Sequence, residues 1–401
     1  MPEPLVVVTG MGAVSGLGGS VEALWRGLRA GRAAMRDFVR FDHAAYRTHL
    51  AAEVEGPEFA DGVDSWCDGF ALAAAREAVG QSGLGADLGE LEAGVFFSSS
   101  TGGMFEAEEF FAAERSGRRG RIDRLRSQQT SGPGDAVARR FGVRGPVQTI
   151  SSACASAALA LGNALDALRS GEVEVALAGG ADSLCRLTYA GFNSLRSVDA
   201  AACRPFRLGR EGLSLGEGAA VLVLERWESA RARGARPLAV LAGAGSSCDA
   251  HHMTAPDPSG TGVARALNAA LADARTAPEE IAFVNAHGTG TPLNDAAEWQ
   301  AMLQVFGERA SRVPVTSTKG AIGHFLGSAG AIEAVATILC LQAGEVHPTP
   351  GGGSVDPACP ADLVLGAPRS LPSARAALSA NFAFGGSNAA LVFLHPERSA
   401  A

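Results

Sequence analysis

One cysteine, Cys154, stands in the run VQTISSACASAALALGNALDAL at residues 147–168. A short β-type run stops at two serines and an alanine-rich helical pattern follows, so the thiol belongs at or near a helix N-terminus. There the unpaired N–H groups and the helix dipole favour a thiolate, the nucleophilic form of cysteine. A dipole of ~1–2 kcal/mol moves a pKa by roughly one unit, so a further group near the sulfur has to complete the activation. Alone, a small cysteine at a close-packed helix start serves packing.

Other segments carry groups that change this reading. Residues 281–295 read IAFVNAHGTGTPLND: a buried-type strand ends at His287, and a Gly/Thr loop leaves room for a ligand beside the imidazole. Residues 313–334 read VPVTSTKGAIGHFLGSAGAIEA, with Lys319 and His324 five apart among glycines and Glu333 on the helix that follows. Lys319 is the single lysine among 34 basic side chains, which points to a need for a compact ammonium there. Residues 379–392 read SANFAFGGSNAALV, two strand-like runs around Phe384, Gly385 and Gly386. The glycines permit positive φ and expose N–H groups of the kind that hold an oxyanion.

The elements that position these groups alternate. Strands are expected at residues 5–9, 94–98, 147–150, 173–177 and 237–242, with a Gly-rich turn feeding an apolar strand within 213–224 and a strand from 281 ending at His287, and helices at 67–79, 227–233 and 263–274. This order implies an α/β protein with largely buried sheets. The Cys154 and Lys319 segments share one plan: strand, Ser/Thr turn, reactive residue, Ala/Gly helix. That repetition suggests an internal duplication. After the first strand, Gly10-Met11-Gly12 is expected to open a glycine-rich loop through Gly19. It is a poor match to a dinucleotide fingerprint, with Ser15 where the third glycine belongs and the next helix starting only near Val21. Residues 98–104, SSSTGGM, are small enough to let an acyl chain or a backbone pass close by. Six arginines at residues 115–126 form a positive patch, either a solvated helix and loop or a dock for an acidic partner. The tail at 396–401 is expected to be disordered.

At 401 residues the chain fits one large α/β domain or two fused halves. Hydrophobic residues make up 47%, aromatics 6%, and there are 51 glycines, so the interior is one of Ala, Val, Leu and Gly under closely packed helices. A net charge of −8 and a pI near 5.6 argue against a general nucleic-acid binder. Seven cysteines without CxxC spacing fit a reducing cytoplasm, with neither a disulfide framework nor a structural zinc. The opening MPEPLVVVTG has no basic stretch and no long apolar run, so no signal peptide is expected. No run approaches 18 uninterrupted apolar residues, so no membrane span is expected.

Taken in order, SSACASA, NAHGTGTP, STKGAIGHFLGSAG and FAFGGSN resemble the elongating β-ketoacyl-acyl-carrier-protein synthases of the thiolase superfamily, and the likeness covers nearly the whole chain. It implies an α/β thiolase-like fold of duplicated βαβαβαββ halves forming a five-layered α-β-α-β-α core, usually dimeric. The halves are expected at 1–248, carrying the nucleophile, and 249–401, carrying both histidines and the lysine. The implied activity is that of a 3-oxoacyl-[acyl-carrier-protein] synthase in type II polyketide, polyene or fatty-acid biosynthesis. Cys154 would hold the acyl chain, and His287 and His324 the malonyl thioester carbonyl as carbon dioxide leaves. The condensation oxyanion would rest on the N–H groups of Cys154 and Phe384. Lys319 would order the site with Glu333 as its partner, and Thr289 and Thr291 would hold the phosphopantetheine arm. Phe384 would be the gate, on the turn built by Gly385 and Gly386.

The resemblance implies no cofactor beyond the phosphopantetheine that carries the substrates, and no catalytic metal. Some relatives bind a structural monovalent cation near positions matching Asn285, Glu298, Glu333 and Ser379. The implied partners are an acyl carrier protein, for which residues 115–126 are the expected dock, and a second subunit, either a copy or a chain-length-factor-like chain. Neither nucleic acid nor membrane is expected as a partner. Three departures, Ala383 before the gate, Ala380-Asn381 for the usual Asn-Ser, and Thr101 where an aliphatic residue often limits pocket depth, suggest a specialised polyene or polyketide synthase. A thiolase would need a second cysteine in its C-terminal turn, and FAFGGSN has none. Initiating and chalcone-type synthases use Cys-His-Asn. An inert chain-length-factor-like subunit would lack the nucleophile.

Overall fold

In the computed structural model, which describes residues 4–398, the apolar runs form two matching sets of strands. The first is β1 (Val6–Val14), β2 (Ala93–Ser98), β3 (Val147–Ile150), β4 (Val175–Asp182) and β5 (Gly218–Arg226). The second is β6 (Ala239–Cys248), β7 (Ile281–Asn285), β8 (Pro314–Thr316), β9 (Ala376–Phe382) and β10 (Ser387–Leu394). Their orders, β3-β2-β4-β5-β1 and β8-β7-β9-β10-β6, agree strand for strand. Directions agree too: β2 is parallel to β3 and β4 while β5 is antiparallel to β4 and β1, and β7 to β10 repeat that scheme. The duplication suggested by the Cys154 and Lys319 segments is therefore present in the topology. β6 pairs along its length with β10 and touches β1 only through Val6 to Val8. By position β6 opens the second half, although the expected division at 248 put it in the first.

The helices complete the layers. α1 (Trp66–Ser82) and α2 (Gly132–Arg140) cover the outer face of the first set, and α5 (Thr261–Asp273), beside α6 (Pro292–Phe306), covers the second. Between the sets lie α3 (Ser156–Ser170) and α7 (Ala329–Ala343), packed on each other and against strands of both; α4 (Arg186–Ser194) lies outside this stack. Strand alternation feeds both sides: Ala220, Leu222 and Leu224 of β5 join the middle core, while Ala219, Val221 and Val223 face α1. The result is the five-layered thiolase-like architecture. The stretch Leu326–Ala343 is long and apolar enough to cross a membrane, with a mean hydropathy of 1.5, yet 89% of it is buried inside the protein. A helix flanked by sheets on both faces is apolar all round for that reason.

Two glycine-rich segments show what their small residues serve. β1 runs on through Gly10-Met11-Gly12 to Val14 instead of breaking into a loop. A Cβ on Gly10 would lie 2.0 Å from the Ala78 carbonyl oxygen, and one on Gly12 1.8 Å from that of Ala74. These glycines let α1 approach the strand, and no phosphate-binding turn exists there. Gly10→Ala is accordingly expected to lower stability by about 3 kcal/mol or more. Denaturant unfolding checks this, and an unchanged midpoint would contradict it.

Residues 98–104 close around Asp182, and their small side chains let backbone pass close by: a Cβ on Gly102 would lie 2.4 Å from the Gln129 carbonyl oxygen, and one on Gly103 2.6 Å from that of Ser127. The Asp182 carboxylate accepts from the Ser100 and Thr101 N–H groups, the Ser99 and Thr101 hydroxyls, and the Ser328 N–H at the head of α7. Burial pushes its pKa up to about 6 against those donors. Thr101 is spent in this knot. Residues 396–398 make one 3-10 turn, and 399–401 lie outside the described residues.

Candidate active site

Each reactive side chain follows a strand end. After β3 the chain turns into α3 at Ala153, whose φ of +44° is a conformation that a Cβ resists. Ser156 holds the turn: its hydroxyl accepts from the Ser152 N–H at 2.7 Å and donates to the Ala153 carbonyl at 2.6 Å. Cys154 thus sits buried at the start of α3. After β7, the N–H groups of His287 and Gly288 both donate to Glu298 on α6 at 2.8 Å. After β8 come Lys319 and His324. The His324 backbone is pinned to the segment ahead of β5, donating to the Ser214 carbonyl at 2.8 Å and accepting from the Gly216 N–H at 3.0 Å.

The reactive atoms of Cys154, His287 and His324 lie within 4.8 Å of one another. The two imidazoles meet edge to face, their centroids 5.4 Å apart. Their tautomers follow from their neighbours. The Leu326 N–H donates to His324 Nδ1 at 3.0 Å, so the His324 proton is on Nε2, which is buried without a protein partner. Lys319 Nζ lies 3.1 Å from His287 Nδ1, and an ammonium only donates, so His287 also carries its proton on Nε2. Burial holds both rings well below the usual imidazole range, Lys319 adds to this in each case, and His324 adds further for His287. The pair is therefore neutral, with two N–H donors. A metal on Nε2 would force the protons onto Nδ1, against the donors already there, and a zinc-bound histidine instead needs an acceptor behind it. The two N–H donors beside the sulfur are suited to hold an anion.

Behind His287, Lys319 pairs with Glu333 at 2.5 Å, and Asn381 Nδ2 donates to the other oxygen of that carboxylate at 2.7 Å. All three side chains are almost wholly buried. The Cys154 thiol is pushed up to about 11 by burial, with Lys319 and the N–H groups of Phe384 and Cys154 itself pulling the other way. Burial thus outweighs those groups and favours the thiol over the thiolate at rest. Since only the thiolate alkylates, the rate of Cys154 modification by iodoacetamide is expected to keep rising from pH 7 to pH 10. A plateau below pH 9 would contradict this assignment.

The gate turn leaves β9 at Phe382 and enters β10 at Ser387. Gly385 and Gly386 adopt φ of +87° and +80°, as expected for a turn that needs glycine. The Gly385 N–H donates to the Met253 carbonyl, and the Gly386 carbonyl accepts from the Asp249 N–H, both at 2.8 Å. Asn388 Nδ2 donates to Asp249 Oδ1 at 2.7 Å, and the Phe384 ring lies 5.7 Å from that of Phe192. A cavity of about 290 Å³ brings together Cys154, His287, His324, Thr289, Thr291 and Phe384. Thr101 is not among its lining residues. Thr289 and Thr291 are joined through their hydroxyls at 2.9 Å. Sequence reasoning did not single out Asp249, Phe192 or the role of Asn381, whose partners lie far along the chain.

Three of the four positions matched to a cation are otherwise engaged. Asn285 Nδ2 donates to Thr318, Thr337 and the Glu333 carbonyl, Glu298 takes two N–H groups, and Glu333 takes Lys319 and Asn381. Burial pushes Glu298 up to about 8. Of the four side chains, Ser379 alone has no protein partner. They do not form a cation donor set, and no step below uses one.

Two family models cover most of the chain: the beta-ketoacyl synthase N-terminal domain matches residues 4–230 and the C-terminal domain residues 238–352. The chain belongs to the beta-ketoacyl synthase family. Among ketosynthases it is 36% identical to 3-oxoacyl-[acyl-carrier-protein] synthase 2 of Staphylococcus aureus (strain COL), over 97% of both chains. The solved ishigamide ketosynthase/chain length factor matches with a TM-score of 0.93 and 36% identity, over 98% of this chain and 99% of the other. A type II polyketide acyl-carrier protein in complex with its ketosynthase bound to the hexaketide, AntDE:AntF, matches with a TM-score of 0.91 and 30% identity, over 98% of this chain and 100% of the other.

Proposed function

We propose that this ketosynthase condenses a Cys154-bound acyl chain with a malonyl group on an acyl carrier protein, with decarboxylation, in type II polyketide, polyene or fatty-acid biosynthesis. The observation that carries this reading is the convergence of two neutral Nε2–H donors on the space beside the Cys154 sulfur. In the first half-reaction Cys154 attacks the acyl thioester. Negative charge moves to the carbonyl oxygen, held by the N–H groups of Cys154 and Phe384, and the thiol proton ends on the departing phosphopantetheine sulfur. In the second, malonyl loses carbon dioxide, and the enolate oxygen is held by His287 and His324. The freed carbon attacks the acyl-cysteine, and the tetrahedral oxyanion returns to the two backbone N–H groups. Collapse releases the 3-oxoacyl carrier and the Cys154 thiolate, which takes a proton from solvent. Thr289 and Thr291 bind the pantetheine arm along the cavity, and Phe384 admits the chain. The substrates arrive on phosphopantetheine, so no separate cofactor is required, and nothing in these steps calls for a membrane.

The partners are an acyl carrier protein and a second subunit, a copy of this chain or a chain-length-factor-like one. The exposed arginines at 115, 118, 119, 121 and 126 support a carrier dock; among them ion pairs engage Arg121 with Asp123 and Arg126 with Asp64. Changing Arg118 and Arg119 to Glu is expected to raise KM for the carrier about tenfold at low salt with kcat unchanged. Equal KM values at low salt would rule out this dock. The function itself is tested by offering saturated and polyunsaturated acyl carriers with malonyl carrier and measuring 3-oxoacyl product and carbon dioxide. Product identifies the synthase and its preferred chain, and carbon dioxide without product from any donor would contradict condensation.

A further inference from the structure

Asn381 stands at the far end of the buried line that runs through Glu333 and Lys319 to His287, and the mechanism above gives it no part. Its amide faces Glu333 Oε2 at 2.7 Å; a carboxylate only accepts, so the nitrogen is the contacting atom. Glu333 Oε1 holds Lys319 Nζ, and Lys319 Nζ reaches His287 Nδ1 at 3.1 Å. Serving Glu333 leaves Asn381 Oδ1 buried without a partner. A residue placed there for packing alone would not leave a polar atom stranded. Room for the amide comes from α7: a Cβ on Gly330 would lie 2.8 Å from Asn381 Oδ1 and 2.7 Å from the Ala158 nitrogen.

We infer that Asn381 is a positioning residue for the decarboxylation step, fixing the Glu333 carboxylate so that Lys319 stays against His287 Nδ1 and the His287 proton stays on Nε2. A carboxylate held at one oxygen can rotate about its own axis, and Lys319 would follow it. Held at both, it presents Oε1 to Lys319 in one orientation. Asn381 thus acts through two side chains on the imidazole and does not itself touch substrate. This rests on the function proposed above for His287.

The test separates the half-reactions. Asn381→Leu keeps the volume and removes the donor; it is expected to slow malonyl-carrier decarboxylation about ten- to hundredfold, the worth of one hydrogen bond to a charged group. Acylation of Cys154 by an acyl carrier is expected to stay within about twofold, because the oxyanion N–H groups are backbone. Nitrogen-15 spectra of labelled histidine are expected to show His287 leaving the Nε2–H tautomer. Asn381→Ser, which retains a donor, is expected to fall between, and it carries the test if the leucine variant does not fold. An equal loss in both half-reactions, or an unchanged tautomer with unchanged decarboxylation, would overturn the inference. If the wild-type protein does not decarboxylate malonyl carrier at all, the proposed function fails first, and this inference falls with it.

Discussion

Cys154→Ala is expected to abolish condensation, lowering turnover by at least ~10³-fold, as removal of a covalent nucleophile does. No other cysteine lines the cavity; of the buried thiols elsewhere, Cys67 bonds the Ala181 carbonyl and Cys203 that of Lys319. Malonyl decarboxylation is expected to survive in this variant, because His287 and His324 are fixed by Lys319 and the Leu326 N–H and not by the sulfur. Measuring carbon dioxide and 3-oxoacyl product side by side distinguishes the two steps. Condensation at a normal rate would contradict the assignment of the nucleophile.

His324→Leu is expected to have the second-largest effect, with the opposite split. Its Nε2–H is a buried donor with no partner in the resting protein, held ready where an enolate oxygen develops charge. Removing one such preorganised donor costs about 10²- to 10³-fold. Decarboxylation and condensation should both fall by that factor, while acyl transfer onto Cys154 continues. Loss of acylation with decarboxylation intact would reverse the roles. The Leu326 N–H would also be left without its acceptor, so a melting curve should accompany the kinetics.

The site was legible in the sequence to the extent that its groups follow local signals. Cys154, His287 and Lys319 each come just after a strand end marked by Ser, Thr or Gly, and the unique lysine announced itself by composition. The tautomers were not legible, because they depend on Lys319 and Leu326 reaching imidazoles placed by tertiary folding. Gly10 and Gly12 looked like a loop because their reason, the close approach of α1, lies about 65 residues further on. Thr101 looked like a pocket residue, yet Asp182, from another strand, claims it. The boundary drawn at 248 missed the place of β6, since strand order is a property of pairing and not of periodicity. Asn381 was visible as a departure from the usual motif, but its meaning requires Glu333, which folding brings to within a hydrogen bond.

The most direct measurement is the intact mass of the protein after mixing with acyl-carrier proteins, before and after malonyl-carrier protein is added. The expected result is one acyl mass on the wild-type chain, absent in Cys154→Ala, that disappears on adding malonyl carrier as a 3-oxoacyl carrier forms. An acyl mass that persists in Cys154→Ala, or one that malonyl carrier never discharges, would contradict Cys154 as the residue through which condensation runs.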